Sequence, residues 1–418
     1  MSTYPAQTTR AEATPSGDEL PTRHHRIVIV GGGTGGVTVA ARLCRALDEP
    51  DVAVVEPSLT HDYQPLWTLV GAGVTSKEKT RRAEREVMPG DATWIRDAVA
   101  GFDPASNRVT LLEGGAVTYD HLVVAVGLEL RWEAIRGMSP DLIGRHGICS
   151  NYLYEGCEQT WRTLRAFQGG TAVFTNPPPP IKCGGAPQKI MYLADDHFRR
   201  RGIRDRCRIV YASATPGIFS VKAFATTLED VVARKGIETR FRHELVEIRP
   251  AERRAVFMGP EGVGETELEY DMIHVTPPQG PPEVVRSSPL ADAAGWVNVD
   301  KHTLQHPDYP NVFSLGDASS LPTSKTGAAI RKQAPVLVHN LLATMRRDGG
   351  GGFKRYDGYT SCPLVTGYGK LVLAEFDYDG EPAPSFPFDT TRERWSMYQL
   401  KRYGLPALYW HGMLKGRA

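Results

Sequence analysis

The sequence is poor in the features that mark several classes of protein. Six cysteines in 418 residues are too few for a disulfide scaffold, and no pair has the C-x-x-C spacing of structural zinc sites or thioredoxin-type centres. A formal net charge of +1 lacks the basic excess typical of nucleic-acid-binding surfaces. We therefore expect neither a structural metal site nor a nucleic-acid partner.

Long apolar runs are also missing. No stretch approaches the roughly 20 apolar residues that a transmembrane helix needs. The amino-terminal residues are polar and contain no apolar segment typical of a secretory signal, so we expect a disordered tail over residues 1–24 and a protein that is soluble or peripheral to a membrane. The length is too great for one core and predicts two or three domains.

A glycine-rich turn near the amino terminus lies between a predicted strand and a predicted helix. Residues 27–30 are apolar, residues 31–36 read GGGTGG, and residues 37–47 are rich in Ala, Leu and Arg. A second apolar strand, residues 52–56, follows and ends in a glutamate. This order of strand, turn, helix, strand and acid predicts a dinucleotide-binding site.

Each key residue of this motif has a physical task. Gly31 allows the tight turn, Gly33 lets a pyrophosphate approach the backbone, and Gly36 lets helix and strand pack closely. The helix N-terminus then presents free N–H groups to the phosphates. Glu56 lies twenty residues after Gly36, where a carboxylate binds ribose hydroxyls.

A second signal comes late in the chain. Residues 311–317 read NVFSLGD, a predicted strand that ends in Gly316 and Asp317. Together with the first motif they resemble the two-part FAD signature of the flavoprotein reductases with two dinucleotide-binding domains. In that superfamily the late aspartate holds the ribityl chain, so the resemblance implies FAD rather than NAD as the cofactor.

The chain also repeats part of its own pattern. Residues 119–127 read YDHLVVAVG, and residues 270–278 read YDMIHVTPP. We infer an α/β fold with two Rossmann-like dinucleotide-binding domains in tandem. A discontinuous FAD-binding domain is expected over 25–135 and 290–345, and the second domain is inserted over 145–285.

The second domain lacks a nucleotide motif. Its first predicted strand, residues 171–175, leads into Asn176 and four prolines rather than glycines. Proline has no backbone N–H to offer a pyrophosphate. The next predicted strand, residues 208–211, ends without a matching acid. We therefore expect no NAD(P) binding there, so electrons must come from another substrate.

Two of the six cysteines stand out. Cys183 and Cys362 lie in Gly- and Pro-bounded segments that we interpret as loops, and Lys182 is expected to favour the Cys183 thiolate. The sequence alone does not place these two sulfurs together. Buried small hydrophobic side chains are the preferred interpretation of the other four, Cys44, Cys149, Cys157 and Cys207.

The segments around this pair carry a specific resemblance. Residues 182–192 (KCGGAPQKIMY) resemble the first redox-cysteine motif of the sulfide:quinone oxidoreductases, in the branch that includes the mitochondrial enzyme. Residues 356–368 (YDGYTSCPLVTGY) resemble the second. Further segments similar to that branch are residues 274–278, 315–317, 321–326 and 373–378.

The resemblance implies a redox bridge between Cys183 and Cys362, either a disulfide or a longer sulfur chain. Hydrosulfide would attack it and leave a persulfide on Cys183 and a thiolate on Cys362, the sulfur that faces the flavin. Two electrons would pass through FAD to a membrane quinone. The sulfur would leave to a small nucleophile, namely another sulfide, a thiol or sulfite.

The resemblance also extends the flavin site. Gln64 resembles a flavin-pocket position, and Val99 resembles the backbone contact to adenine. Lys325 precedes a predicted helix at 326–330, where a cation and a helix N-terminus would stabilise charge on a reduced flavin, although a solvated surface lysine is the alternative. Thr34, Gly35 and Gly127 complete the expected cofactor-binding set.

A quinone substrate requires a membrane-facing surface, which we place in the carboxyl-terminal region, residues 350–418. A predicted helix over 391–403 carries aromatic and basic residues, and Leu405–Pro406 separates it from a second helix. Such short helices suit attachment to a membrane surface. The apolar pairs expected to face the membrane are Tyr409 with Met413 and Trp410 with Leu414. A helix packed on the protein body or at a homo-oligomer interface is the alternative.

Three other functions remain open from the residues. A type-II NADH:quinone oxidoreductase would need a glycine-rich phosphate turn after residues 171–175. A flavocytochrome-type sulfide dehydrogenase would need a haem partner. A non-catalytic FAD-binding redox sensor would leave both cysteine motifs without a purpose.

Overall fold

The computed structural model describes residues 22–346 and 352–418. Most of the expected tail over 1–24 therefore lies outside the described residues. Thr22 to His24 are an exception, because they extend the first strand and pair with Ala116 to Thr118. The tail prediction is wrong for these three residues, since their backbone groups are held by a neighbouring strand.

Strands and helices alternate in part of the chain, and runs of successive strands make up much of the rest. The first ten strands are β1 (Thr22–Val30), β2 (Val52–Val55), β3 (Thr60–Asp62), β4 (Arg81–Ala83), β5 (Thr93–Ile95), β6 (Val99–Asp103), β7 (Arg108–Leu111), β8 (Ala116–Val124), β9 (Glu129–Leu130) and β10 (Ile148–Cys149). The others are β11 (Gly170–Asn176), β12 (Cys207–Ser213), β13 (Glu238–Phe241), β14 (Glu244–Arg249), β15 (Arg254–Met258), β16 (Glu265–Glu269), β17 (Met272–His274), β18 (Gln279–Gly280), β19 (Val312–Ser314), β20 (Thr360–Gly367) and β21 (Lys370–Phe376). The α-helices are α1 (Thr34–Ala46), α2 (Trp67–Gly71), α3 (Glu84–Val87), α4 (Tyr154–Ala166), α5 (Ala186–Arg200), α6 (Lys222–Lys235), α7 (Glu283–Arg286), α8 (Gly327–Arg346), α9 (Trp395–Gln399) and α10 (Leu405–Ala407).

The first sheet has the strand order β5-β2-β1-β8-β7-β6, and β19 also pairs with β8. Its central strands β2, β1 and β8 are parallel, and residues 27–30 and 52–55 are buried, which explains why these two segments are continuous apolar runs rather than alternating ones. Strand β19 comes from much later in the chain and lies parallel to β8. The glycine turn and residues 315–317 thereby meet at the carboxyl ends of parallel strands.

The second sheet is parallel throughout, in the order β10-β17-β11-β12-β13. Strands β11 and β12 confirm the two strands predicted near 171–175 and 208–211. Helix α5 follows β11 and packs on it, as the crossover of a βαβ unit must. A first sheet with parallel central strands and a second, fully parallel sheet, both with associated helices, confirm the predicted fold class.

The carboxyl-terminal part consists of the β20–β21 hairpin and a helical run over residues 395–415. Cys362 lies on β20, so its interpretation as a loop residue is wrong. The predicted break at Leu405–Pro406 is also absent, because π-helical turns at Leu400–Gly404 and Leu408–Gly412 flank α10 and carry the run past the proline. Wider π turns accommodate a residue that lacks an N–H.

Within the described residues, no helix is both long enough and apolar enough to span a membrane.

Candidate active site

The glycine turn after β1 has the shape of a dinucleotide cradle. A Cβ at Gly31, whose φ is +101°, would lie 2.5 Å from the Ala125 carbonyl oxygen, and one at Gly36 would lie 1.8 Å from the Gly31 oxygen. Among the described residues, a Cβ at Gly33 would meet no atom within 4 Å. No side chain of residues 22–346 or 352–418 caps α1, so its first N–H groups remain available. The turn therefore leaves space and donors for a pyrophosphate.

The acid predicted for the ribose lies beside this turn. Glu56 is 2% exposed and accepts hydrogen bonds from the backbone N–H groups of Gly32, at 2.6 Å, and Ser58, at 2.7 Å. A Cβ built on Gly35 would lie 3.5 Å from the Cγ atom of Leu315. The early and late parts of the FAD signature are therefore in contact. The residues present therefore fit an FAD.

The buried Lys325 and the partly buried Asp317 lie next to these elements. The Lys325 Nζ donates to the carbonyl oxygens of Asp317, at 2.9 Å, and Ser319, at 2.8 Å, and lies 3.9 Å from the centre of the Trp296 ring. The lysine is 8% exposed, so the solvated-surface alternative is wrong. Burial lowers the pKa of Lys325 to about 8, although Asp317 opposes the shift. Burial raises the pKa of Asp317.

The remaining predicted cofactor residues lie at several places. Thr34 begins α1, Gly127 follows β8 with φ +78°, and Gln64 accepts a 2.6 Å hydrogen bond from the Lys182 Nζ. Val99 is the first residue of β6 and pairs with Leu111. Strands β6 and β5 lie at the two ends of the strand order of the first sheet. Their individual roles stay predictions.

The two singled-out cysteines meet in the structure. Their Sγ atoms lie 2.7 Å apart, although the residues are 179 positions apart in sequence. Cys183 occupies the turn between β11 and α5 with φ +52°, and its N–H donates to the Lys325 carbonyl at 2.8 Å. Gly185 lets the hairpin approach, because a Cβ there would lie 2.1 Å from Leu364 and 3.5 Å from the Cys362 Sγ.

A lysine that the sequence analysis missed contacts this pair. The Lys189 Nζ lies 3.2 Å from the Cys183 Sγ, and Lys189 is 4% exposed. The expected neighbour, Lys182, instead directs its ammonium to Gln64. The chain reverses at Cys183 and enters α5, so a residue six positions later returns to the sulfur while the adjacent one points away. No helical spacing in the sequence links Lys189 to Cys183, because Cys183 precedes α5 rather than lying on it.

The electrostatics of the pair are asymmetric. The hydrogen bond with Cys362 lowers the pKa of the Cys183 thiol well below its usual value, and Lys189 adds to this effect against the cost of burial. The same contact raises the pKa of the Cys362 thiol. Cys183 is therefore the preferred thiolate when the pair is reduced.

A second buried lysine reaches this region from the carboxyl-terminal run. Lys401 is 3% exposed, and its Nζ donates to the Pro65 carbonyl at 3.0 Å. Burial first, and the positive charge of Lys189 next, lower the pKa of Lys401 to about 7. Nothing in the local sequence marks this lysine.

The residues expected to face the membrane are instead packed on the protein. Tyr409, Trp410, Met413 and Leu414 are all buried, so the prediction is wrong for these four. The Tyr409 hydroxyl bonds to the Thr34 Oγ1, at 2.8 Å, and to the His61 Nε2, at 2.6 Å. The exposed apolar side chains of the run are Trp395, Tyr403 and Leu408.

The other four cysteines match their interpretation as small hydrophobic residues. Cys149, Cys157 and Cys207 are buried, and Cys44 is partly buried against the core. Burial raises the pKa of each thiol, to about 11 in Cys44 and about 12 in Cys149 and Cys157.

Comparisons with known proteins define the class. Residues 25–158 match the family model described as pyridine nucleotide-disulphide oxidoreductase. The fold is similar to the X-ray structure of the sulfide:quinone oxidoreductase of Aquifex aeolicus, with a TM-score of 0.77 and 20% identity over 93% of this chain and 91% of that one. The fold of this chain is therefore the fold of that structure, and its amino-terminal part matches the disulphide oxidoreductase model.

Full-length relatives narrow the class to a family. The mitochondrial sulfide:quinone oxidoreductase of Dictyostelium discoideum is 48% identical over 395 residues, which cover 94% of this chain and 86% of the relative. That of Mus musculus is 44% identical over 394 residues, with 94% and 87% covered. The chain belongs to the sulfide:quinone oxidoreductase family. This membership confirms the predicted family, the enzyme class and the FAD cofactor.

Proposed function

We propose that this protein oxidises sulfide at a redox bridge between Cys183 and Cys362 and passes the two electrons through FAD to a quinone. The observation that carries the proposal is the 2.7 Å approach of the two Sγ atoms beside the FAD signature. Family membership supports the substrates, and the geometry supports the residues.

The flavin is assigned to the cradle around the glycine turn. Bound FAD supplies a two-electron acceptor that connects a thiol pair to a quinone. Gly31, Gly33 and Gly36 with the α1 N-terminus would hold its pyrophosphate, and Glu56 would hold a ribose. Lys325 would provide positive charge near the flavin ring.

The sulfur chemistry is assigned to the cysteine pair. Hydrosulfide attacks the Cys183 sulfur, the bond between the cysteines breaks, and Cys362 leaves as a thiolate. The persulfide then remains on Cys183, next to Lys189, and its outer sulfur leaves to a small nucleophile such as sulfide, a thiol or sulfite. The charge of the hydrosulfide ends on Cys362, so the step is balanced.

We also propose that the exposed residues of the carboxyl-terminal run attach the protein peripherally to a membrane. Trp395, with 67% of its surface exposed, Tyr403 and Leu408 offer apolar contacts. Arg392, which is exposed, and the partly exposed Arg402 provide positive charge near them. This surface replaces the buried residues expected from the sequence.

Anaerobic flavin reduction tests the redox function. The yellow protein is mixed with sulfide, or separately with NADH, and the flavin absorbance is followed. Sulfide should bleach the flavin and a soluble quinone should restore it. Bleaching by NADH alone would contradict the proposal and favour a type-II NADH:quinone oxidoreductase.

Serine variants locate the chemistry. Cys183→Ser and Cys362→Ser should each reduce the rate of bleaching by sulfide at least about a hundredfold, because a serine cannot form the bridge. Both should retain FAD, measured by the ratio of flavin to protein absorbance. Cys157→Ser, a buried cysteine outside the pair, is the matched control and should react like the wild type.

A further inference from the structure

A network of buried polar side chains connects α3 to the glycine turn. The His61 Nδ1 lies 3.3 Å from a carboxylate oxygen of Glu84, and the His61 Nε2 lies 2.6 Å from the Tyr409 hydroxyl oxygen. That oxygen lies 2.8 Å from the Thr34 Oγ1. Glu84, His61 and Tyr409 are each at most 3% exposed. These four residues, which we call the Thr34 network, form a continuous series of hydrogen bonds that ends at the turn assigned to the pyrophosphate.

The elements around His61 carry other charged groups, but Glu84 is the carboxylate in contact with its imidazole. Asp62, the next residue on β3, is paired with Arg81 on β4 at 2.7 Å. The other charged or titratable side chains on the surrounding elements are Glu56, Tyr63, Arg82, Arg85, Glu86 and Lys415. The protonation of the network is therefore decided chiefly by Glu84 and His61.

The number of protons on the Glu84–His61 pair sets the direction of these hydrogen bonds. When His61 is neutral beside an ionised Glu84, its Nδ1–H donates to the carboxylate and its Nε2 can only accept. Tyr409 then donates to Nε2 and the Thr34 hydroxyl donates to Tyr409, so Thr34 presents oxygen lone pairs to the turn.

One more proton on the pair reverses the series, whether the imidazole or the carboxylate carries it. The His61 Nε2–H then donates to Tyr409, and Tyr409 donates to the Thr34 Oγ1. The Thr34 O–H is thereby released from Tyr409 and becomes a donor for a ligand in the turn.

We propose that Glu84, His61 and Tyr409 are positioning residues that orient the Thr34 hydroxyl, so that FAD binding takes up a proton from solvent. A pyrophosphate is anionic and accepts hydrogen bonds, so it favours the state in which Thr34 donates. The proton is held by the Glu84–His61 pair, and no covalent bond between heavy atoms changes. This inference rests on the proposed placement of FAD at the glycine turn.

Calorimetric titration of the full-length apoprotein with FAD measures this proton uptake. Each titration is done in two buffers of different ionisation enthalpy at the same pH, over a range of pH. The wild type should take up about half a proton or more per FAD at the pH of greatest uptake. Because the bound state holds the additional proton, FAD affinity should fall as pH rises, by at most about tenfold per pH unit.

Two variants of Thr34 separate its hydroxyl from its backbone. Thr34→Val keeps the shape and the N–H of the residue, but it should weaken FAD binding about tenfold and abolish the proton uptake, because no hydroxyl remains to change direction. Thr34→Ser keeps the hydroxyl and should retain both properties. Equal proton uptake by Thr34→Val and the wild type would overturn the proposal, as would the absence of uptake in the wild type.

Histidine variants locate the proton. His61→Phe removes both ring nitrogens and should abolish the uptake, whereas His411→Gln, in an exposed histidine of the carboxyl-terminal run, should match the wild type. Circular dichroism checks the folding of His61→Phe, and Thr34→Val decides the matter if that variant does not fold. Loss of the uptake in His411→Gln, or its persistence in folded His61→Phe, would contradict the assignment.

Gly33→Ala distinguishes an error in the placement of FAD from an error in the network. If this variant binds FAD as tightly as the wild type, the cofactor lies elsewhere and the proposed placement is wrong. If it binds FAD more weakly while the wild type takes up no proton, the placement is supported and the role of the Thr34 network is refuted.

Discussion

Gly33 and Gly36 are neighbours in one turn, yet they lack a side chain for different reasons. A Cβ at Gly36 would overlap the Gly31 carbonyl oxygen, whereas a Cβ at Gly33 would point into open space. Gly36 is therefore required by the fold of the protein itself, and Gly33 by the molecule that the turn is built to hold.

This difference predicts separate effects of two alanine variants. Gly36→Ala should lower the free energy of unfolding by about 1–3 kcal/mol, because a backbone carbonyl must move. Gly33→Ala should leave the unfolding of the apoprotein unchanged but weaken FAD binding about tenfold or more, since the methyl group occupies the pyrophosphate space. Thermal unfolding and FAD titration of the apoprotein measure the two effects. Equal stability losses in both variants would contradict the assignment.

Among single residues of the site, the sequence predicts those whose contacts lie within a short stretch of the chain. Gly31, Gly36 and Glu56 belong to one strand–turn–helix–strand unit, and its physics is local. The Cys183–Cys362 contact joins distant segments, so only the resemblance to a family proposed it. Lys189 was missed because the reversal of the chain at Cys183, with φ +52°, decides which lysine faces the sulfur.

In the carboxyl-terminal helical run, too, the sequence predicts local structure but not the contacts between distant elements. Its i, i+4 apolar pairs correctly indicate an amphipathic helix, but that pattern does not specify whether the apolar side meets lipid or protein. The structure places Tyr409 against the Tyr63 ring, with centroids 4.4 Å apart, and Leu414 is fully buried. The exposed apolar surface belongs to other residues of the same run.

We expect the hydrogen bonds of the Tyr409 hydroxyl to stabilise the packing of this helical run against the glycine turn. Tyr409→Phe removes the hydrogen bonds to the Thr34 Oγ1 and to the buried His61 Nε2 and should lower the free energy of unfolding by about 1–3 kcal/mol. Tyr403→Phe, in an exposed residue of the run, is the matched control and should have no measurable effect. Chemical denaturation compares the two. A stability loss confined to Tyr403→Phe would refute the role of Tyr409.

For the whole molecule, membrane attachment should depend on the exposed apolar residues of the run. Combined substitution of Trp395, Tyr403 and Leu408 by serine should weaken binding to anionic vesicles about tenfold or more, because these side chains lose their apolar contact with lipid. Vesicle co-sedimentation measures this effect. Sulfide-driven reduction of a soluble quinone should persist in the variant.

A matched control distinguishes this surface from general hydrophobicity. Val263→Ser removes a side chain that is 74% exposed on the loop between β15 and β16 and should leave vesicle binding unchanged. Equal binding by the triple variant and the wild type would place the membrane contact elsewhere.

The hydrogen bond from the Cys183 N–H to the Lys325 carbonyl has a consequence for turnover. This bond connects the turn between β11 and α5, in the unit of the second sheet, to the segment after β19, in the unit of the first sheet. The Lys325 ammonium in turn donates a hydrogen bond to the Asp317 carbonyl. A main-chain hydrogen bond therefore joins the two units beside the proposed redox pair. We expect the two units to keep the same relative position during turnover, without a domain opening. Small sulfur species would then diffuse in and out of the site while the units stay in contact.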